Sequence, residues 1–565
     1  MLRDRGLISR REILVGATAT AGLAVLSLEQ AFAQPVAKHR RLNVANPQAL
    51  RQLESYKKAI RAMLELPPSD PRNWYRIALA HTLDCPHGNW WFLVWHRGYI
   101  GWFERICREL SGEPDFALPY WDWTEASNQT GSFAPCVPAP MFDDVLTPTH
   151  EAFIGKYDEF RSTFEDVVAR ADFWKPIFTE GAFDEHTQYG QLLPRAMRIP
   201  EDLWFDIIDD PRGKFFFDAI HARGVTKEKP ELDERTAKSV SLPVLLDALS
   251  ARDFLTFASP KTLSHNSVGG YGVLEGQPHN RVHNNVGGIS FKTIGDVTSK
   301  TDLGGFMQNF LAPVDPLFFL HHANVDRLWD VWTRKQQMRG YPILPDGYPK
   351  ALGDSVPKDS DYDVWSKEHF LFFVDSRGHP VTKTKAGDYA PIGEFDYDYE
   401  PGSGEQIVQS IVATSRSVQR LTAEIANPIV TLAKRAVSSV RVHETGLLQR
   451  TTVAESPRLL AKITIAMAPF AHTDDLAVTI SGVGESAGET IPLSIFGHHG
   501  AHCPMLFTLP LSGAVASLRS SNRLAGDVPL KISIAYQSDV AAHGLAASHK
   551  TNVVAELLSV VVEVH

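Results

Sequence analysis

Two triplets of histidine constrain this chain more than any other feature. His81, His87 and His96 lie in "HTLDCPHGNWWFLVWHR", among Trp90, Trp91, Phe92 and Trp95. His279 and His283 form "HNRVH", and "DPLFFLHHANVDRLWDVW" sets His321 and His322 inside an apolar run. A lone buried histidine is more often a satisfied core residue, and with 22 histidines in 565 residues an HxxxH pair is weak by itself. Two sets of three, each wrapped in aromatic and branched side chains, point instead to rings gathered around metal ions. A fold that uses them must bring two remote segments face to face.

Local geometry narrows the ligand set. Residues i and i+4 share one helical turn, so His279 and His283 aim at a common point, and "NNVGG" stops that helix at once. In the later run His322, Asp326 and Trp329 share one helical face, while His321, Val325 and Leu328 share another. Adjacent residues diverge by about 100° on a helix, so only one of the two histidines can join His279 and His283. His322 is the expected ligand, because its face carries the carboxylate; His321 is expected to be packed wall. Six neutral imidazoles without a bridging carboxylate suit copper, whereas hydrolytic pairs of Mg, Mn or Fe recruit Asp or Glu oxygens. Nitrogen donors keep Cu(I) accessible, and two such ions can together pass two electrons to dioxygen as co-substrate and oxidise an electron-rich ring.

The rest of the chain divides by texture. Apolar residues at helical spacing from Pro47 to Leu66, from Trp90 to Leu110 behind Asn89 as N-cap, from Glu201 to Ala222 and from Leu242 to Phe257 predict a mainly α region with long loops, residues 34–400. "LPYWDW" (118–123) reads as a buried extended piece. Residues 401–445 are polar and poor in aromatics, which predicts a linker. Beyond them "AKITIAMA", "LAVTISGV", "PLKISIAY" and "LLSVVVEVH" alternate and are β-branched, predicting a small β-sandwich over 446–565. The net charge of −10, without a basic block, argues against nucleic acid as a partner. "SRREIL" followed by an apolar run and "AFA" reads as a twin-arginine signal over residues 1–33, so the chain is expected to be exported to a periplasmic or secreted location; the alternative is a short membrane anchor. No later stretch is apolar enough to span a membrane.

These segments, "HTLDCPH…WHRGYIGWFER", "LPYWDW", "LEGQPHNRVHNNVGG" and "DPLFFLHHANVDRLW", resemble in order the two copper signatures of the tyrosinase, catechol oxidase and molluscan haemocyanin family, over about Pro47 to Tyr399. The resemblance implies a four-helix dicopper core, with His81, His87 and His96 on the first copper and His279, His283 and His322 on the second. It implies a phenol oxidase acting on small phenols, converting o-diphenols to o-quinones and hydroxylating monophenols at the ortho position. The alternatives are a diphenol-only catechol oxidase and a haemocyanin-like oxygen carrier. "CPH" is similar to the motif in which a cysteine, here Cys85, forms a thioether with a ligand histidine, here His87; otherwise Cys85 is free or in a disulfide. Glu275 and Asn280 resemble the pair holding a water that deprotonates monophenols, and the alternative for Glu275 is a turn cap. Asn284 stands where some bacterial members have Arg, which puts a substrate-carboxylate contact in doubt. The gate over the second copper is expected in "GGFMQNFLAPVDP", at Phe310 rather than Met307. "YDY" (397–399) resembles the tyrosine motif closing the catalytic domain, and the β-rich tail resembles the domain that shields latent members. The tail's "FGHHGAHC", with His498, His499, His502 and Cys503, has three readings: a copper pick-up site, a segment inserted over the active site, or a solvated loop. Pairing of Cys107 with Cys136 is left open.

Overall fold

The computed structural model describes residues 37–125, 134–153, 222–409 and 418–565, apart from stretches within the last two, the longest being 443–457 and 537–552. The expected signal (1–33), most of the expected helix 201–222 and the cluster from His498 to Cys503 lie outside the described residues.

Helices carry the histidines. Helix α1 (Ala49–Glu65) buries Leu53, Tyr56, Ile60, Met63 and Leu64 of the stripe its spacing predicts, while Leu50, at the first turn of the same pattern, is 54% exposed. Helix α2 (Trp74–Asp84) begins where the Asn73 side chain accepts the Tyr75 N–H, and it ends just before Cys85. Helix α3 (Phe92–Ser111) is buried on nearly every face over its first half and stops at Gly112 in the left-handed conformation. Asn89 initiates that helix from three residues outside it, its side chain accepting the Trp91 N–H at 3.0 Å. Helix α4 (Asn280–Val286) is preceded by one widened π turn, Glu275–His279, and Pro278 sits inside that turn. A proline has no N–H to give an ordinary helical turn, so local widening is the expected response. Helix α5 (Leu317–Met338) crosses the core, buried from Leu317 through Trp329. The predicted 242–257 helix is two pieces, Leu242–Ser250 and Phe254–Phe257.

Around this core β1 (His39–Arg41) pairs in parallel with the "YDY" strand at 397–399, joining the two ends of the helical region. The strand's tyrosines, Tyr397 and Tyr399, both donate to Asp326 on α5, at 2.5 and 2.6 Å. Asp326 also accepts from Arg97 of α3 at 2.6 Å. One buried carboxylate thereby ties α3, α5 and the closing strand together.

The C-terminal region is two packed sheets. One has the strand order 270–271, 505–510, 459–467, 553–564, 419–422, with 429–431 also on 553–564; the other runs 489–492, 476–481, 530–536, 436–440, 424–427. In the strand Leu459–Met467, Ala461, Ile463, Ile465 and Met467 point inward between half-buried neighbours, the period-two pattern read from the sequence. The expected linker differs. Residues 419–440 form four strands of the two sheets, and their burial is mostly intermediate or exposed, so edge strands such as "QRLT" and "EIAN" carry little apolar signal. A two-residue strand from the helical region, Gly270–Tyr271, also pairs with Leu506–Phe507, and Tyr271 packs in the sandwich core. Among the described residues no helix is long and apolar enough to cross a membrane.

Candidate metal centre

Each histidine is delivered by a specific element. His81 stands in the last turn of α2, His87 in the connecting loop, and His96 in the second turn of α3. His279 ends the π turn, His283 is one turn into α4, and His322 lies near the start of α5. All six are at most 2% exposed. The rings of His81, His87 and His96 lie 5.1–5.6 Å apart by centroid. Those of His279, His283 and His322 lie 4.6–5.3 Å apart. The triplets abut: His96 stacks on His322 at 4.2 Å with a 9° interplanar angle, and His87 on His279 at 5.8 Å. Ligand atoms in each group fall within 4.8 Å of one another, so each group can hold an ion.

The tautomers suit that task. His81 Nδ1 lies 2.7 Å from the Phe310 carbonyl, His96 Nδ1 2.7 Å from the Phe92 carbonyl, and His283 Nδ1 2.6 Å from the Met307 carbonyl. A carbonyl only accepts, so these three rings carry their proton on Nδ1 and present a lone pair on Nε2. His279 Nδ1 makes the same contact with Asn280 Oδ1 at 2.8 Å. The His322 Nε2 atom is 3.4 Å from His279 Nε2 and 3.1 Å from His283 Nε2. One ring proton can satisfy only one of those facing lone pairs; a cation satisfies all three. Burial pushes every one of these imidazoles below its usual range, His81 and His279 to about 3, which keeps the donors neutral.

His321 is close enough to join the second group, its ring 4.8 Å from that of His283. Its Nδ1, however, accepts the indole N–H of Trp123 at 3.0 Å. The neutral ring must then carry its proton on Nε2, leaving no lone pair for a metal. Trp123, from the "LPYWDW" segment, thus engages the nitrogen of His321 that would otherwise be free to bind.

Other candidate residues are placed as follows. The Cys85 sulfur sits 3.3 Å from His87 Nδ1, and no disulfide joins Cys85, Cys107 and Cys136. Glu275 is fully buried; it accepts the Gly88 N–H at 2.7 Å and contacts Ser259 Oγ, and burial drives its carboxyl well above the usual range. Asn280 is buried against His279, and Asn284 is buried on α4. The Phe310 ring lies 6.1 Å from that of His87, and the chain runs from Met307, whose carbonyl faces His283, to Phe310, whose carbonyl faces His81.

Several contributors escape a reading of side-chain motifs. The carbonyls of Phe92, Met307 and Phe310 orient the imidazoles of His96, His283 and His81 but are backbone atoms. Phe318 packs against His322 at 4.1 Å and His81 at 5.0 Å, and its place four residues before His322 is the one signal that could have found it. Phe92 fills the same gap from α3, 4.7 Å from His279.

Residues 70–335 match the family model for the common central domain of tyrosinase. The chain is 28% identical over 369 residues to a chloroplastic polyphenol oxidase of Spinacia oleracea, covering 62% of this chain and 45% of that one. It is 26% identical over 349 residues to (+)-larreatricin hydroxylase of Larrea tridentata, covering 58% and 44%. The chain thus spans about half the length of the curated relatives it matches. Among solved structures, a latent aurone synthase (polyphenol oxidase) aligns over 94% of this chain and 90% of its own, with a TM-score of 0.49 and 16% identity.

Proposed function

We propose that this chain, which belongs to the tyrosinase family through its common central domain, is a type-3 copper phenol oxidase. The observation that carries the proposal is the abutting pair of neutral histidine triplets, their Nε2 lone pairs converging. His81, His87 and His96 would hold one copper ion and His279, His283 and His322 the other. Bound there, the pair would supply the redox chemistry by which dioxygen takes electrons from a phenol. Each o-diphenol gives up two electrons and two protons to become an o-quinone, so two diphenols reduce one dioxygen to two waters.

The chain's own residues would shape that chemistry. Phe92 and Phe318 exclude water from between the triplets. The Phe310 ring narrows the approach at His87. Cys85 lies where a thioether to His87 would fix that ring. Glu275, with Asn280, would take the proton of a monophenol through a water and so extend the activity to ortho-hydroxylation. A diphenol-only oxidase is the second reading, and it is favoured by Glu275 being already engaged by Gly88 and Ser259. Within this proposal residues 1–33 serve as the twin-arginine export signal and the C-terminal sandwich as a shield.

Copper titration of the full chain, followed by oxygen uptake on catechol and on a monophenol before and after removal of the sandwich, tests the reading. Two coppers per chain and catechol turnover are expected. One copper or none would refute it, and two coppers without turnover in either form would favour an oxygen carrier. Glu275→Gln should depress monophenol hydroxylation while sparing diphenol oxidation; equal effects on both would leave the diphenol-only reading.

A further inference from the structure

One more buried histidine, paired with two carboxylates, lies beside the first triplet and takes no part in the chemistry above. His265 is fully buried in the loop before Gly270. Its Nδ1 is 2.7 Å from Glu368 Oε1, and its Nε2 is 2.7 Å from the Asp84 carbonyl and 3.5 Å from Asp84 Oδ1. Both ring nitrogens therefore face oxygens that only accept, which requires a proton on each: His265 is an imidazolium. Burial alone would lower its pKa, but the bonds to Asp84 and Glu368 outweigh it and raise it to about 10.

What the cation grips is the base of the loop that carries His87. Asp84 ends α2, three residues after His81, and its second carboxylate oxygen accepts the Trp95 indole N–H at 2.7 Å. Trp95 in turn packs on His81 and His96. From the far end of the same loop, the Asn89 amide donates to the His265 carbonyl at 2.9 Å and the Ser267 carbonyl at 3.1 Å. The Gly269 N–H donates to the Gly88 carbonyl at 2.8 Å. Residues 84 and 89, the two stems of the Cys85–His87 turn, are thus both fastened to the segment around His265. The ring also packs on Trp91 and Phe370, which carry no charge. None of these contacts is made to His279, His283 or His322; the tie between the two halves at this loop is the Gly88 N–H, which donates to Glu275 at 2.7 Å and involves neither His265, Asp84 nor Glu368.

We propose that His265 is a positioning residue for the first metal half-site: as a buried cation between Asp84 and Glu368, it holds the loop that aims His87, leaving the second half-site independent of it. This rests on the copper reading above. A neutral imidazole could donate to only one of the two acceptors, and a glutamine at 265, whose two N–H groups share one nitrogen, leaves a buried carboxylate without its counter-charge, which frees the loop stem.

The test uses the full chain and copper alone as the probe. Copper content at equilibrium and the Cu(II) electron paramagnetic resonance spectrum are measured for wild type, His265→Gln and Glu368→Gln. His96→Ala and His322→Ala serve as references for a crippled first and second site. A coupled copper pair is silent in this spectrum, and a lone Cu(II) is not. The expected result is one copper bound as in wild type and the other weakened roughly 10–100-fold, the range seen when a residue supporting a ligand is lost. The residual signal should match that of His96→Ala. Two coppers held with wild-type affinity and a silent spectrum in both variants would overturn the proposal, as would a signal matching His322→Ala or parallel loss of both ions. Should His265→Gln fail to fold, Glu368→Gln decides, since it removes the counter-charge and keeps the imidazole. A wild-type chain binding fewer than two coppers would refute the copper reading itself, an outcome distinct from two coppers in every variant.

Discussion

The assignment of His322 as ligand and His321 as wall predicts a double dissociation between stability and metal content. His321→Ala removes a fully buried ring and strands the Trp123 indole N–H that it accepted at 3.0 Å. An unsatisfied buried donor costs about 1–3 kcal/mol. The space left by a large-to-small change at a fully buried site brings the total to about 2–5 kcal/mol. None of that loss falls on an Nε2 lone pair, so the variant should unfold at a lower temperature yet bind two coppers. His322→Ala removes the donor whose Nε2 lies 3.4 Å from that of His279 and 3.1 Å from that of His283. Loss of a residue that merely supports a ligand already costs roughly 10–100-fold in metal affinity, so loss of the donor itself should empty the second position at copper concentrations that saturate wild type. Calorimetric unfolding of the copper-free proteins, paired with copper counts after equilibrium dialysis, separates the two effects. A folded His321→Ala protein that retains one copper, or a His322→Ala protein that retains two, would refute the tautomer argument.

Three further outcomes follow from named contacts. The stability that His265 contributes is fully present below its unfolded pKa of 6.5 and is lost as pH rises through about 10, so the gap in unfolding temperature between copper-free wild type and His265→Gln should close above that pH. Asp326→Ala strips one carboxylate from Arg97, Tyr397 and Tyr399 and should cost about 3–5 kcal/mol, read as a fall in denaturation midpoint. Gly270 has a φ of +131°, and a Cβ there would lie 1.9 Å from the Leu506 carbonyl oxygen. Gly270→Ala should therefore separate the 270–271 strand from the sandwich at a cost of about 1–3 kcal/mol, visible as faster proteolysis of the folded protein between residues 401 and 458.

What was legible in the sequence was what repeats along a helix or strand. Leu53, Tyr56 and Ile60 announce α1; Ile463, Ile465 and Met467 announce a sandwich strand; and His279 with His283 announces a shared turn, because each pattern is a periodicity that the backbone converts directly into a face. Contacts across the chain were legible only where chemistry forces them. Six imidazoles in aromatic surroundings demand a meeting place, and the structure brings the two triplets together through α2, α3, α4 and α5. What stayed hidden had no period and no motif. Strands 419–422 and 424–427 hold polar residues on half-exposed edges, so their pairing is dictated by the partner strand. The locks on His81, His96 and His283 are backbone carbonyls that any residue could supply. His265 is a lone histidine in a loop, given meaning by Asp84 and Glu368 from two other parts of the chain. The choice between His321 and His322 joins the two kinds of information. Helical phase says that one of them must turn away, and the proposal that it is His321 rests on a tryptophan nearly two hundred residues earlier, whose indole N–H donates to His321 Nδ1.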